Sequence, residues 1–262
     1  MNVAARSDGT VGKALDLLEL VSDAPTPLRF SDIQAKSPHP KATLHRLLQT
    51  LVSQGMLSYD LENHTYTLGL RLVQLAHRAW AQSSLAPHAR PFLDALARKT
   101  GETVHLAQMV SGQVLYIDKR NARDPVEMFS QAGKVGPGYC TGIGKAILAF
   151  QSDAECELAI SQQSFHRFTD NTLADEESLR GDLELIRKTG VAFDREEHEP
   201  GIICIAAPIL AKSGNVLGAL SVTTTTTRHS LDDLVDLKPA LISTAREIAE
   251  AAEAWRFPAQ TS

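Results

Sequence analysis

Along the first third of the chain, apolar residues recur at helical spacing in three blocks. Residues 10–21, TVGKALDLLELV, put Val11, Leu15, Leu18 and either Leu17 or Val21 on one face, ahead of the breaker-rich SDAPTP. A short second helix is predicted in LRFSDIQAK, with Ser31 as its N-cap and Ile33 and Ala35 carried on it. The third block, residues 37–54, reads SPHPKATLHRLLQTLVSQ. Leu44, Leu47, Leu48 and Leu51 follow the i, i+3, i+4, i+7 pattern of one buried face, so Lys41, Thr43, His45, Arg46 and Gln49 point largely away from the core. Pro38 and Pro40 mark its start, where a missing N–H costs little. Gly55 closes this helix, and MLSYD, a LENH turn and TYTLG read as a hairpin. Three helices and a hairpin predict a winged helix-turn-helix over residues 8–69. Residues 41–54 are then the helix that enters the major groove, and residues 62–64 the wing tip.

Residues 70–83 carry Leu70, Val73, Leu75, Ala76 and Trp80 as apolar positions, which predicts a helical linker in place of a Gly/Ser tether. Such a helix packs on its own domain or pairs with a second subunit. The remainder, residues 84–257, alternates strands and helices without Rossmann order. A helix is expected at 87–99, then a hairpin of 103–110 and 113–119 around Ser111-Gly112, and a further strand at 126–130. Helices are expected at 141–150, 155–160 and 176–189, strands at 191–194, 202–210 and 216–223, and one long helix at 231–255. The run of threonines from Thr223 to Thr227 reads as a β-branched strand edge. Hairpins with peripheral helices make this an α+β unit built on an antiparallel sheet.

Composition narrows the class. The 262 residues are 43% hydrophobic, enough for real cores, and no stretch approaches the roughly 18 apolar residues of a membrane helix. The first residues lack the apolar core of a signal peptide, so a cytoplasmic protein is expected. Cys140, Cys156 and Cys204 are too few and scattered for a disulfide framework or a zinc ribbon, which leaves reduced thiols. The net charge of -5 hides a division. Residues 1–83 hold 8 Lys+Arg against 7 Asp+Glu, while residues 84–262 hold 18 against 24. A DNA-binding module with a balance of +1 neutralises few phosphates, so it needs a second copy to hold a site.

Three stretches carry a resemblance. KATLHRLLQTLVSQGMLSYD with YTLGLRLVQLA, YCTGIGKAILAF, and GVAFDREEHEPGIICIAAPIL continuing through GNVLGALSVT together resemble the IclR-type bacterial transcriptional regulators, over roughly residues 12–255. The third stretch is the most specific, because its acidic run, Pro-Gly and apolar strand occur in order. The resemblance implies a GAF-like effector domain joined by a helical linker to the winged helix, a homodimer or dimer of dimers, operator DNA as partner, and a small molecule that alters operator binding. It places the effector pocket at Gly142 and Ile143 in the loop, and at Asp194, Cys204, Ser221 and Thr223 on the strands. Two positions depart from the family pattern. Thr223 stands where relatives often have serine, and Ala42, where many have serine, removes one phosphate or base contact.

The chemistry of these residues sharpens two sites. Lys41 and Arg46 can reach phosphate or a guanine edge beside the hydroxyl of Thr43, and Gln49 can read adenine. In the second unit, Thr141-Gly142-Ile143-Gly144-Lys145 opens a helix whose free N–H groups favour an anion, and Ser221 and Thr223, two apart, face the same side of a strand. Asp194 repels a bare carboxylate, so it accepts from a ligand hydroxyl or orients a donor. The inferred effector is a small organic acid, aromatic ones included, with a second polar group. Lys145 faces either the ligand or solvent, and the run from Arg195 to Glu199 reads as a solvated loop. Competing readings are a cysteine-dependent GAF-like redox enzyme using Cys140, Cys204 and His198, and a metal-responsive regulator using Asp194, Glu197, His198 and Cys204. No nucleophile elbow, phosphate loop or dinucleotide fingerprint occurs, so no catalytic residue, resident cofactor or metal is expected.

Overall fold

The computed structural model describes residues 9–82 and 85–256, in two compact units divided between Gln82 and Ser83. The expected bounds at residues 8, 83, 84 and 257 lie outside the described residues. In the first unit, α1 (Thr10–Ser22), α2 (Phe30–Lys36) and α3 (Lys41–Ser53) enclose one core. Leu44, Leu47, Leu48 and Leu51 of α3 are all buried. The inward face of α1 differs from expectation, since Val11 and Leu15 are 73% and 52% exposed. The stripe that packs is Ala14, Leu17, Leu18 and Val21, which has the same i, i+3, i+4, i+7 spacing begun one turn later.

Helix α2 starts at Phe30, so Ser31 lies inside it and Ala35 is exposed. Its cap is supplied instead by the Asp32 carboxylate, which accepts from the Arg29 N–H at 2.8 Å. Just before it, β1 (Leu28–Arg29) joins β2 (Leu57–Asp60) and β3 (Thr65–Leu68) in an antiparallel sheet of order β1-β3-β2. Two residues are too few for an alternating pattern, so β1 was not expected. The wing turns on Asp60, whose Oδ1 accepts the N–H groups of Glu62 at 2.8 Å and Asn63 at 3.1 Å.

After the wing, α4 (Leu70–Gln82) is clamped to the end of α3. The Gly69 N–H donates to the Met56 carbonyl at 2.9 Å, and Arg71 donates to the carbonyl and side-chain oxygens of Gln54, both at 2.8 Å. A Cβ at Gly69 would fall 2.1 Å from the Gly55 carbonyl oxygen, so this crossing tolerates only glycine. Leu70, Val73 and Leu75 of α4 are exposed. The side chain of Trp80 lies outside the described set.

The second unit is built on an antiparallel sheet of order β6-β5-β4-β9-β8-β7. Its strands are β4 (Thr103–Val110), β5 (Gln113–Arg120), β6 (Val135–Pro137), β7 (Ala192–Arg195), β8 (Ile202–Leu210) and β9 (Val216–Thr225). One face is covered by α5 (Ala86–Thr100) and α10 (Lys238–Arg256), the other by α6 (Gly142–Leu148) with α8 (Glu176–Thr189) behind it. Helices α7 (Asp153–Ser161) and α9 (Leu231–Val235) complete the order. Ser111 and Gly112 both take positive φ, as the tight β4–β5 turn requires.

Three expectations are corrected here. Residues 126–130 form no strand, and the edge is β6, where Pro137 suits a position whose N–H need not pair. The final helix is two helices, because a Ser230 capping box opens α9 and Pro239 opens a new first turn in α10. The threonine run enters β9, which lies inside the sheet and not at its edge. Branched side chains fit there because both faces are covered; Thr223 and Thr224 are both buried.

Candidate functional site

Strand register lines up the site. Asp194 lies opposite Cys204, Cys204 opposite Thr223, and Thr223 opposite Thr103. The parallel row two residues on runs Ala192, Ala206, Ser221 and His105. The alanines admit α6 close to the sheet, and Gly142 completes the fit, since a Cβ there would lie 2.5 Å from Cys204 Sγ and 3.1 Å from the Asp194 nitrogen. Thr141 caps α6, its hydroxyl accepting from the Gly144 N–H at 3.2 Å.

The expected residues Thr141, Gly142, Ile143, Asp194, Cys204, Ser221 and Thr223 thereby line one small cavity of about 30 Å³. Residues that the sequence does not single out line it too, chiefly His105, Tyr116, Phe129 and Ser130, and so does His198, expected only in the competing enzyme and metal readings. His105 is at the centre of their hydrogen bonding. Its Nδ1 lies 3.2 Å from Thr223 Oγ1 and 3.3 Å from Ser221 Oγ, and its Nε2 lies 2.8 Å from Ser130 Oγ. Burial, with Lys119 adding to it, pushes its pKa down to about 3, so the ring is neutral with one donor and one acceptor nitrogen. The signal for it is a histidine at an inward position of the strand TVHLAQMV, residues 103–110, where an apolar residue would be usual.

Asp194 is the acidic member of the cavity. Burial first, and the Glu197 carboxylate second, push its pKa up to about 7. Near neutral pH a large fraction therefore carries a proton, which weakens the expected repulsion of a carboxylate. Its Oδ1 accepts from the Glu197 N–H at 2.8 Å. Burial and the neighbouring Asp194 push the thiols of Cys204 and Cys140 upward, so both are poor sources of thiolate.

Two expectations about charged residues are overturned beside this cavity. Lys145 faces neither ligand nor solvent, and Glu197 is not in a solvated loop. The Lys145 ammonium has no exposed surface and donates to Asp182 Oδ2 at 2.7 Å and Glu197 Oε1 at 2.6 Å. Burial alone would lower its pKa, but the two carboxylates outweigh that and hold it charged. The cluster ties α6 to α8 and to the turn after β7.

In the first unit, Lys41, His45, Arg46 and Gln49 lie exposed on α3, while Thr43 is half-buried. His45 also meets the Phe30 ring edge-on at 6.0 Å, which joins α3 to α2. Arg29, exposed between β1 and α2, is a further cation on this unit.

Residues 10–61 match the IclR helix-turn-helix domain, and residues 77–250 match the description "Bacterial transcriptional regulator IclR C-terminal". The chain belongs to the IclR family. It is 33% identical over 232 residues to the HTH-type transcriptional regulator XynR of Escherichia coli, covering 88% of this chain and 92% of that protein. With the regulator KdgR of Escherichia coli it shares 32% identity over 209 residues, 80% of each chain. Among solved structures, an IclR-type regulator from Alicyclobacillus acidocaldarius superposes with a TM-score of 0.80 at 26% identity, covering 94% of this chain and 100% of that one. An IclR homolog from Microbacterium hydrocarbonoxydans, complexed with 4-hydroxybenzoate, gives 0.80 at 23% identity over 94% and 100%, a likeness of fold alone.

Membership in the IclR family makes the protein a DNA-binding transcriptional regulator with a ligand-binding C-terminal domain, and not an enzyme. The metal-site reading fails on geometry. Asp194 and Glu197 are engaged as described, and among the described residues no group of three His, Cys, Asp or Glu is placed to hold a metal ion. Among those residues, too, no helix is long and apolar enough to cross a membrane. Replacing Lys145 by methionine strands two carboxylates, so Lys145→Met is expected to cost about 3–5 kcal/mol in urea unfolding. Adding Glu197→Gln to it should recover part of that loss; a double variant no more stable than the single one would exclude the ion pair as the cause.

Proposed function

We propose that the regulator is a cytoplasmic homodimer, or a dimer of dimers, that reads operator DNA with α3 and responds to a small organic acid in the His105–Asp194 cavity. The observation that carries the acid reading is a buried cluster of donors. With one of the Ser221 and Thr223 hydroxyls donating to His105 Nδ1, the other hydroxyl, neutral His105 and protonated Asp194 can present hydrogen to a carboxylate or carbonyl oxygen. The opening of α6 adds less than its sequence suggested, because the helix has only 7 residues. For a ligand to alter operator binding it must prefer one arrangement of the paired DNA-binding units, so its effect equals its differential affinity for the two.

Dimerisation is supported by apolar surface on the first unit. Val11, Leu15, Leu68, Leu70 and Val73 are exposed, and a groove of about 510 Å³ runs between α1 and α4 beside Leu15, Leu18, Leu68 and Leu72. A second copy of the same helices is the self-complementary occupant of such a groove. In sedimentation velocity, Val73→Glu should convert the dimer to monomer, and an unchanged dimer would remove α4 from the interface.

On the DNA side, Lys41, Thr43, His45, Arg46 and Gln49 are the proposed contacts. Arg46→Ala is expected to weaken binding to an operator selected from random sequence by about 1–3 kcal/mol, with the thermal midpoint unchanged. Equal gel-shift affinities for the two proteins would take Arg46 out of the interface. On the ligand side, Asp194 titrates through about 7. As pH rises it becomes a carboxylate, loses its donor hydrogen and repels an acid. Affinity for any acid that stabilises the wild type in a thermal-shift screen, 4-hydroxybenzoate among the probes, should therefore fall from about pH 6 to 8, and Asp194→Asn should flatten that dependence. Affinity that rises with pH, or a screen without a single stabilising acid, would overturn the assignment.

A further inference from the structure

One side of the cavity is closed by Phe129 and Ser130, which belong to an irregular segment, residues 121–134. Besides Ser130 on His105, Lys119 Nζ donates to the Ser130 carbonyl at 2.8 Å, and the Phe129 N–H donates to the Glu199 carboxylate at 3.1 Å. The Phe129 ring meets His198 edge-on at 5.0 Å, and Lys134 Nζ sits 4.9 Å over it. Its ends are tied by the Arg123 N–H to the Gly101 carbonyl and the Gly133 N–H to the Tyr116 carbonyl. The other walls are paired strands, the buried helix α6, and the turn after β7 that carries His198 and Glu199, which Glu197 pins to the buried Lys145 and to Asp194. A cavity of about 30 Å³ admits a water or two, and an acid of several heavy atoms needs more. The wall that can yield is the irregular one.

We propose that His105 is a specificity-determining residue for the effector and that Ser130 is its stand-in: an acceptor oxygen of the bound acid replaces Ser130 Oγ at His105 Nε2, and residues 121–134 are released. This rests on the acid reading above and adds to it a defined exchange of partners. When Nδ1 accepts from the Ser221 or Thr223 hydroxyl, Nε2–H is the donor and points at Ser130. A carboxylate is a stronger acceptor than a serine hydroxyl, so the exchange favours the ligand. At no stage is a buried imidazole N–H left unpaired, which would cost more than either bond returns. In that tautomer, ligands that can offer only a donor at that point, such as ammonium groups, are rejected for the same reason. Movement of Ser130 also pulls on its carbonyl bond to Lys119 and on the adjacent Phe129–Glu199 bond, so the whole segment responds to one exchange.

The test compares the full-length wild type with Ser130→Ala by hydrogen exchange and calorimetry, with 4-hydroxybenzoate and small hydroxy acids as probes. Without ligand, Ser130→Ala should exchange faster than wild type in residues 121–134 while α10 is unchanged. A probe that binds should speed exchange of the same segment in wild type, and should bind Ser130→Ala roughly 2- to 10-fold more tightly, because it no longer competes with the serine. Tighter binding is the outcome that mere structural damage does not give. His105→Phe, checked for an intact thermal transition, should lose the probe. Unchanged exchange in ligand-free Ser130→Ala, or equal or weaker probe binding by it, overturns the proposal. If no acid binds either protein, the acid reading alone fails, and the ligand-free exchange still decides whether Ser130 is the latch.

Discussion

An ammonium group with no exposed surface persists only where opposite charge meets it at hydrogen-bond distance. Lys145 satisfies that condition with Asp182 and Glu197, and the second unit depends on it. Through Asp182 it fixes the helix behind α6, and through Glu197 it fixes the turn after β7. The Glu197 N–H in turn holds Asp194 Oδ1, so the acidic wall of the cavity is oriented by a charge that never touches the cavity. Burial does most to raise the Asp194 pKa, the same carboxylate adds to it and Lys145 opposes it, so the cluster places the residue and only adjusts its protonation.

How far the sequence reveals this depends on the range of each interaction. The α3 stripe was legible because four leucines repeat at one helical spacing within eight residues. α1 was read a turn too early because Val11 and Leu15 share that spacing with residues that truly pack, and periodicity does not say which of two apolar faces meets the core. β1 and β6, with 2 and 3 residues, are shorter than any pattern. Lys145 was illegible for another reason: its partners lie 37 and 52 residues away, and Glu197 sits in a charged run whose composition suggests solvent. The cavity positions Asp194, Cys204, Ser221 and Thr223 came from likeness to a family; the residues alone showed only that Ser221 and Thr223 share a strand face. His105 stands on a strand that the sequence does predict, but its meaning lies in Ser130, which belongs to a segment whose pattern suggests a strand and whose structure is irregular.

The two units answer the charge question differently. The first has a balance of +1 and neutralises few phosphates by itself, which is the deficit that the proposed pairing of two such units would offset. The second carries the acidic excess, and part of that excess is internal: Asp182, Asp194 and Glu197 are counted as charges in the sequence, yet they serve to hold a lysine and to shape a cavity.

Gly69 has a consequence for how a signal could travel. Its close crossing over Gly55 and the Arg71 bonds to Gln54 join the start of α4 to the end of α3 without an intervening spacer. A lever needs a stiff arm and a rigid joint, and this joint combines a backbone crossing with an arginine clamp. Rotation of α4 about its axis is then rotation of α3, and in the proposed dimer the angle between the two copies of α4 would set the pitch at which the α3 helices meet the groove.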